Sequence, residues 1–308
     1  MELEINPKQL RGFYYVANTL SFAKAAEQLF VTQPAVRMQI DALEDMCGIR
    51  FLSRDGRKLR LTEAGNALFA YAGQLVEVLS EAERTVLNLV EHPQGSLRLG
   101  TSKTWARYLM PTYLLRFGRL FSGVAIRLEE GGSREIVQGV LQGLYDIAIV
   151  GRVPYNERLE VLPFSGQHAD ELVLAMHPNH RLAGKQTVTA SDFKGETLIL
   201  KERGSATRDV IDQYFKDRGF SPSILLETSS APCIKDLVKR KEGVSILTYL
   251  SIEEEERQGR IAAVPFEDDG LWLNIDIVVR KGGHRTESTS RFLSFLEECG
   301  EELLLGEN

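Results

Sequence analysis

Seven apolar residues, Leu68, Ala72, Leu75, Leu79, Ala82, Val86 and Leu89, recur at alternating steps of four and three between Thr62 and His92. An α-helix that keeps this spacing over three heptads carries an a/d seam, and a partner helix buries such a seam. Thr62 is placed to cap the helix, and Pro93 and Gly95 to stop it. The spacing predicts a two-stranded coiled coil between copies of the chain; the alternative is a helix packed on its own domain. Either way a long helix cuts the 308 residues into a short first part and a long second part, and the two are patterned differently.

The first part reads as three short helices and a hairpin. Asn6 caps a helix with Pro7 at its first position and Gln9 placed for a capping box, and Leu10, Phe13, Ala17 and Leu20 follow at helical spacing. Ser21 caps a second helix with Ala25, Ala26 and Leu29 on one face. After a break at Phe30-Val31, Thr32 caps a third, whose stripe is Val36, Ile40 and Leu43 and whose end is Gly48. Two short extended arms then flank Asp55-Gly56, a hairpin signal. This is the pattern of a winged helix-turn-helix. The third helix must present its start to a major groove, and Thr32, Gln33, Pro34 and Arg37 stand there. Gln33 suits adenine edges and Arg37 guanine edges. The hairpin offers Arg54, Arg57 and Lys58, with Arg60, to phosphates or a minor groove. Charge agrees: residues 1–62 carry +2, whereas the rest carries −8, for a total of −6. Polyanion contact is therefore expected of the first module alone.

From Ser96 onward strands and helices alternate, which argues for parallel sheets covered by helices. Strands are expected at 97–100, 124–129, 146–150, 172–176, 197–200, 223–227, 244–247 and 271–279. Helices are expected near 104–118, 133–142, 207–218, 231–240 and 287–304. Turn-like points at Pro163-Phe164 and Pro265-Phe266 divide this body into two lobes joined by two crossovers.

The run Ser21-Phe22-Ala23-Lys24-Ala25-Ala26-Glu27-Gln28-Leu29-Phe30-Val31-Thr32-Gln33-Pro34-Ala35-Val36 resembles the LysR-type transcriptional regulators. So do Gln39-Ile40, Leu43-Glu44, Gly48 and Leu61-Thr62-Glu63-Ala64-Gly65. One departure is Arg37-Met38, where many members have Ser-Arg, so the family's arginine contact is not carried to Met38. The resemblance implies an α/β chain with three parts: a winged helix-turn-helix over 1–62, a linker and dimerisation helix over 63–92, and a two-lobed effector domain over 95–308. That domain is similar to type 2 periplasmic binding proteins, with lobe I at about 95–163 and 267–308 and lobe II at about 164–266. It further implies a cytoplasmic regulator, a homodimer or homotetramer, that binds double-stranded promoter DNA, answers a small-molecule coinducer and recruits RNA polymerase.

Ligands of open α/β sheets sit where strands end and helices begin. Three such junctions are rich in hydroxyls: Thr101 and Ser102 after the first strand of the body, Ser133 after the second, and Ser205 and Thr207 with Arg208 later on. Helix N-termini bind anions, so these six residues predict a small anionic effector between the lobes. For each junction taken alone, plain helix capping is the competing reading, and Arg208 has Asp212 four residues on as a possible partner.

Other functions fit less well. A transport receptor on the same fold would need export, and the acidic N-terminus shows no signal segment. An enzyme would need a nucleophile or acid–base pair, and no catalytic motif, cofactor motif or metal set is present. His177-Pro178-Asn179-His180 reads as a surface turn. No run reaches the ~18 apolar residues of a membrane span, and three scattered cysteines read as reduced thiols.

Overall fold

The first three helices begin at capping residues: the side chains of Asn6, Ser21 and Thr32 accept the backbone N–H groups of Lys8, Lys24 and Ala35. The computed structural model describes residues 4–56, 58–92, 95–151, 153, 156–164, 169–267, 270–283 and 285–304. These fall into two compact units, Met1–Glu91 and His92–Asn308. The first holds α1 (Pro7–Thr19), α2 (Phe22–Leu29), α3 (Gln33–Cys47), the hairpin β1 (Leu52–Asp55) and β2 (Lys58–Leu61), and α4 (Glu63–Glu91). Gln9 does not close the expected capping box; its side-chain oxygen is buried without a hydrogen bond.

Phe13, Val16, Val36, Ile40 and Leu43 form the core of this unit together with Phe51 and Ala72. Leu20, expected on the buried face of α1, is instead an exposed left-handed cap with φ 49°. One buried carboxylate fixes the hairpin to α3. Glu44 Oε1 accepts the N–H groups of Phe51 (2.8 Å) and Leu52 (3.0 Å), while Oε2 pairs with Arg50 (2.6 Å). The Thr62 hydroxyl then donates to the Arg50 carbonyl (2.7 Å) and accepts the Gly65 N–H (3.0 Å). Here α4 passes so close to Phe51 that a Cβ at position 65 would lie 2.1 Å from its carbonyl oxygen, so only glycine fits.

The 4-3 seam of α4 is divided. Leu68 and Ala72, its first two members, pack into the core of their own unit, and Phe69 beside them stacks on Tyr14 at 5.4 Å. The expectation of one continuous intermolecular seam is corrected there: α1 already covers the first turns. Further along, Leu75 and Leu79 are half-buried, and Val78, Ala82, Val86 and Val90 are exposed. The Leu89 side chain lies outside the described residues.

The second unit contains β3 (Ser96–Ser102), α5 (Lys103–Tyr108), α6 (Met110–Leu120), β4 (Ala125–Gly131), α7 (Ser133–Leu141), β5 (Ile147–Gly151), β6 (Leu159–Pro163) and β7 (Ala169–Met176). It continues with β8 (Thr197–Lys201), α8 (Ala206–Asp217), β9 (Ser223–Thr228), α9 (Ala231–Lys239), β10 (Ser245–Thr248), α10 (Glu253–Arg257), β11 (Ala262–Pro265), β12 (Leu271–Arg280) and α11 (Glu287–Leu304). Strand β3 lies parallel between β4 and β5. The long β12 joins the two lobes. Its first half pairs with β7, which also carries β10 and β11, and its second half pairs with β5 and β6. Strands β8 and β9 form a parallel pair linked to residue 244 by a bridge from Leu198.

Two expectations change. Pro163 and Pro265 are the last residues of β6 and β11 and not turns; a proline lacks the ladder N–H and is tolerated at a strand end. The helix expected over 104–118 is two helices, because Pro111 starts a new first turn and Leu109 breaks from the first.

Glu44→Gln should weaken the charge-assisted bonds to Phe51, Leu52 and Arg50 and cost roughly 1.5–3 kcal/mol. Denaturant unfolding of the full chain measures the loss. Hydrogen exchange should show the Phe51 and Leu52 amides losing protection ahead of the α1 core.

Candidate nucleic-acid interface and ligand cleft

Helix α3 buries Val36, Ile40 and Leu43 and leaves its start outside. Thr32, Gln33, Pro34, Arg37 and Met38 are all exposed. The Thr32 oxygen accepts the Ala35 N–H at 3.4 Å, so its own proton remains available. The Arg37 guanidinium lies 5.0 Å from the centre of the Phe22 ring, a cation–π contact that holds it beside the start of α3. On the hairpin, Arg54 and Lys58 are exposed, and Arg60 pairs with Asp55 at 3.0 Å. Arg57, expected at the tip, lies outside the described residues. The surface has the shape and chemistry to enter a groove: a capped helix start with an amide and a guanidinium, flanked by a basic hairpin. Glu44 braces it and drew no role in the sequence reading, where its neighbour Leu43 carried the stripe.

In the second unit the six expected ligand contacts divide. Ser133 begins α7 and lines a cavity of about 590 Å³ between α7 and the start of α8. Ser205 is the N-cap of α8 and makes no side-chain capping bond, and its neighbours Gly204 and Ala206 line the same cavity. The two junctions face each other, since a Cβ at Gly132 would lie 3.8 Å from the Gly204 carbonyl oxygen. Ser102 caps α5 by accepting the Trp105 N–H at 3.5 Å. Thr101 is fully buried in β3 and donates to the Ile149 carbonyl at 2.7 Å, which removes its proton from any ligand. Thr207 is buried.

Arg208 is corrected. Only 1% of it is exposed, and its donors serve Asp212 (2.7 Å), the Lys201 carbonyl (3.0 Å) and Glu227 (2.9 Å). Two carboxylates and a carbonyl take three of its five N–H donors and the side chain is buried, so it ties α8 to β8 and β9 and does not line the cavity. The cation that does line the cavity is Arg134, which the sequence reading passed over. Its Nη2 reaches both oxygens of Asp209 at 3.2 and 3.0 Å. Seventy-five residues separate the two, and no local spacing signals the pair.

A second polar cluster lies buried where the lobes meet. Lys201 Nζ donates to Thr104 Oγ1 at 2.5 Å, and Leu250 N–H donates to Asp170 Oδ1 at 3.2 Å. Trp105 Nε1 and Thr248 Oγ1 face the Asp170 carboxylate and draw its pKa down, although neither meets the geometry of a full hydrogen bond. Burial dominates and pushes Asp170 up to about 6, and burial also lowers Lys201. The His177–His180 segment is a turn: His177 Nδ1 accepts the Asn179 N–H, and His180 pairs with Glu196 at 3.1 Å. Among the described residues no three His, Cys, Asp or Glu side chains are placed to share a metal, and no helix is long and apolar enough to cross a membrane.

Comparison with known proteins finds two family models. One, for bacterial regulatory helix-turn-helix proteins of the lysR family, matches residues 7–66; the other, for the LysR substrate binding domain, matches residues 91–300. The HTH-type transcriptional regulator CfxR of Cupriavidus necator is 32% identical over 301 residues, 96% of this chain and 92% of the relative. The RuBisCO operon transcriptional regulator of Allochromatium vinosum is 29% identical over 297 residues, 96% of each chain. Among solved structures, full-length CbnR complexed with its target DNA superposes with a TM-score of 0.60 at 23% identity, over 95% of this chain and 99% of that one. The effector binding domain of QuiR in complex with shikimate gives 0.61 at 20% identity, over 68% of this chain and 98% of that one. These two likenesses speak for the fold.

The raised Asp170 gives a pH test. Its folded pKa of about 6 stands above the ordinary 3.8, so the folded chain binds this proton more tightly than the unfolded chain. Stability from this group is therefore full below pH 3.8 and is lost as pH rises through about 6. Asp170→Asn should stabilise the second unit by up to about 3 kcal/mol at neutral pH, with the gain shrinking as pH falls toward the ordinary carboxylate range. Urea unfolding followed by tryptophan fluorescence reads this unit, because Trp105 and Trp272 both lie in it.

Proposed function

The chain belongs to the LysR family of bacterial transcriptional regulators, and from that premise we propose how its parts divide the work. It is a ligand-responsive DNA-binding regulator, with residues 1–62 reading promoter DNA, 63–92 pairing two copies and 95–308 sensing a metabolite. One observation carries the reading: the start of α3 stands free of its own core, with Gln33 and Arg37 exposed, while Glu44 braces the basic hairpin against the same helix. Gln33 and Arg37 read base edges. Thr32 and Pro34 set the approach, and Arg54, Arg57 and Lys58 hold the backbone.

The effector is a small anion in the cavity between α7 and α8. Support comes from two facing helix starts, the uncapped Ser205, Ser133 and one lining arginine. The exposed stripe Val78, Ala82 and Val86, with the half-buried Leu75 and Leu79, pairs α4 with a second copy. Strand β9, with Ile224, Leu225 and Leu226 exposed, offers a further contact for a tetramer. The regulator acts in the cytoplasm and meets RNA polymerase at its promoter.

Arg37→Ala should cost about 1–3 kcal/mol on the cognate promoter site and relax sequence preference. Lys58→Ala should weaken all DNA alike and flatten the salt dependence. Fluorescence anisotropy titrations at two salt concentrations separate the two, and an Arg37→Ala variant that binds its site as tightly as the unmodified chain would refute the base-reading role. The double variant Val78→Asp, Val86→Asp should halve the assembly seen by light scattering.

A further inference from the structure

We propose that Asp209 occupies, on Arg134, the seat that the effector's anionic group takes when it binds, so that the cleft carries a latch made of its own carboxylate. This rests on the reading of an anionic effector and adds how the site is regulated. Among the described residues that line the cavity, Arg134 is the one cation and Asp209 the one anion. They come from opposite lobes. Arg134 stands in the first turn of α7, which packs on the sheet of the first lobe, and Asp209 in the first turn of α8, which follows β8 of the second. Arg134 Nη2 is shared by both carboxylate oxygens, at 3.2 and 3.0 Å.

The position of Asp209 is that of a bound anion. Its carboxylate lies in the first turn of α8, at the positive end of that helix, beside a wall that opens at Ser133 and Gly204. A ligand carboxylate or phosphate entering the cavity meets the same guanidinium and the same helix starts. The exchange is cheap, because the pair faces solvent: 68% of the Arg134 side chain and 33% of the Asp209 side chain are exposed. A pair in that setting contributes up to about fivefold to an equilibrium. The consequence reaches the lobes. While Asp209 holds Arg134, the latch ties α7 to α8 directly; once a ligand takes the arginine, that tie runs through the ligand instead. A ligand shifts a conformational equilibrium only by contacts that differ between the two states, and this exchange supplies one.

The two side chains must then have opposite effects on anion binding. In the full-length protein, calorimetric titration with inorganic phosphate and with malonate, at constant ionic strength, measures it. Asp209→Asn removes the internal competitor and should tighten binding by about twofold to fivefold, whereas Arg134→Gln should weaken it by about tenfold or more. A tighter Asp209→Asn variant is not what a merely structural ion pair would produce. If the unmodified protein binds an anion and Asp209→Asn binds it equally or more weakly, the latch is refuted and the anionic effector stands. If the unmodified protein and both variants show no saturable binding of either anion, the anionic effector fails and the latch falls with it.

Discussion

A single buried carboxylate organises the DNA-binding end of this regulator. Glu44 sits on the inner face of α3, where a charge would be costly if unpaired, and it is satisfied by two backbone N–H groups and one guanidinium. Those partners are the first residues of the hairpin. The same few atoms therefore decide where the hairpin leaves α3 and where Phe51 enters the core, and Gly65 lets α4 pass the Phe51 carbonyl. The exposed start of α3 is held by this hidden arrangement, so the residues on its outer surface are positioned by one that is buried.

The sensing unit follows the opposite logic. Much of its polar chemistry is turned inward: Arg208 on Asp212 and Glu227, Thr101 on Ile149, Lys201 on Thr104. Among the described residues, a narrower set surrounds the cavity between α7 and α8: two helix starts and the Arg134–Asp209 pair.

Much of this was legible in the sequence, and the reason differs from part to part. Caps at Asn6, Ser21 and Thr32 and the stripe Val36, Ile40, Leu43 are local signals, and they survive folding intact. The eight strands read from the body all exist, while β6 and β11 were hidden because each is short, sits against a neighbour already paired elsewhere and ends in proline. The α4 seam was legible as a period but not as a destination: nothing in the spacing tells that Leu68 and Ala72 meet α1 and not a partner chain. Side-chain allegiance was the least legible. Arg208 had a carboxylate one turn away in sequence and a second one, Glu227, visible only once β9 lay beside β8. Arg134 and Asp209 meet by the same kind of long-range closure.

The division of α4 has a mechanical meaning. Its 29 residues rise about 1.5 Å each, giving a rod of roughly 43 Å whose first turns are clamped to α1 by the Tyr14–Phe69 stack and by Ala72. The clamp makes the three-helix head and the rod one stiff piece, like the jaw and handle of a caliper. Where two rods pair along their free length, a one-degree change in their crossing angle moves a head by roughly 0.7 Å over that span. On the proposed pairing, the spacing between two DNA-reading heads is set by an angle far from either of them, and a half-site separation on the promoter becomes a measure of how two handles lie together.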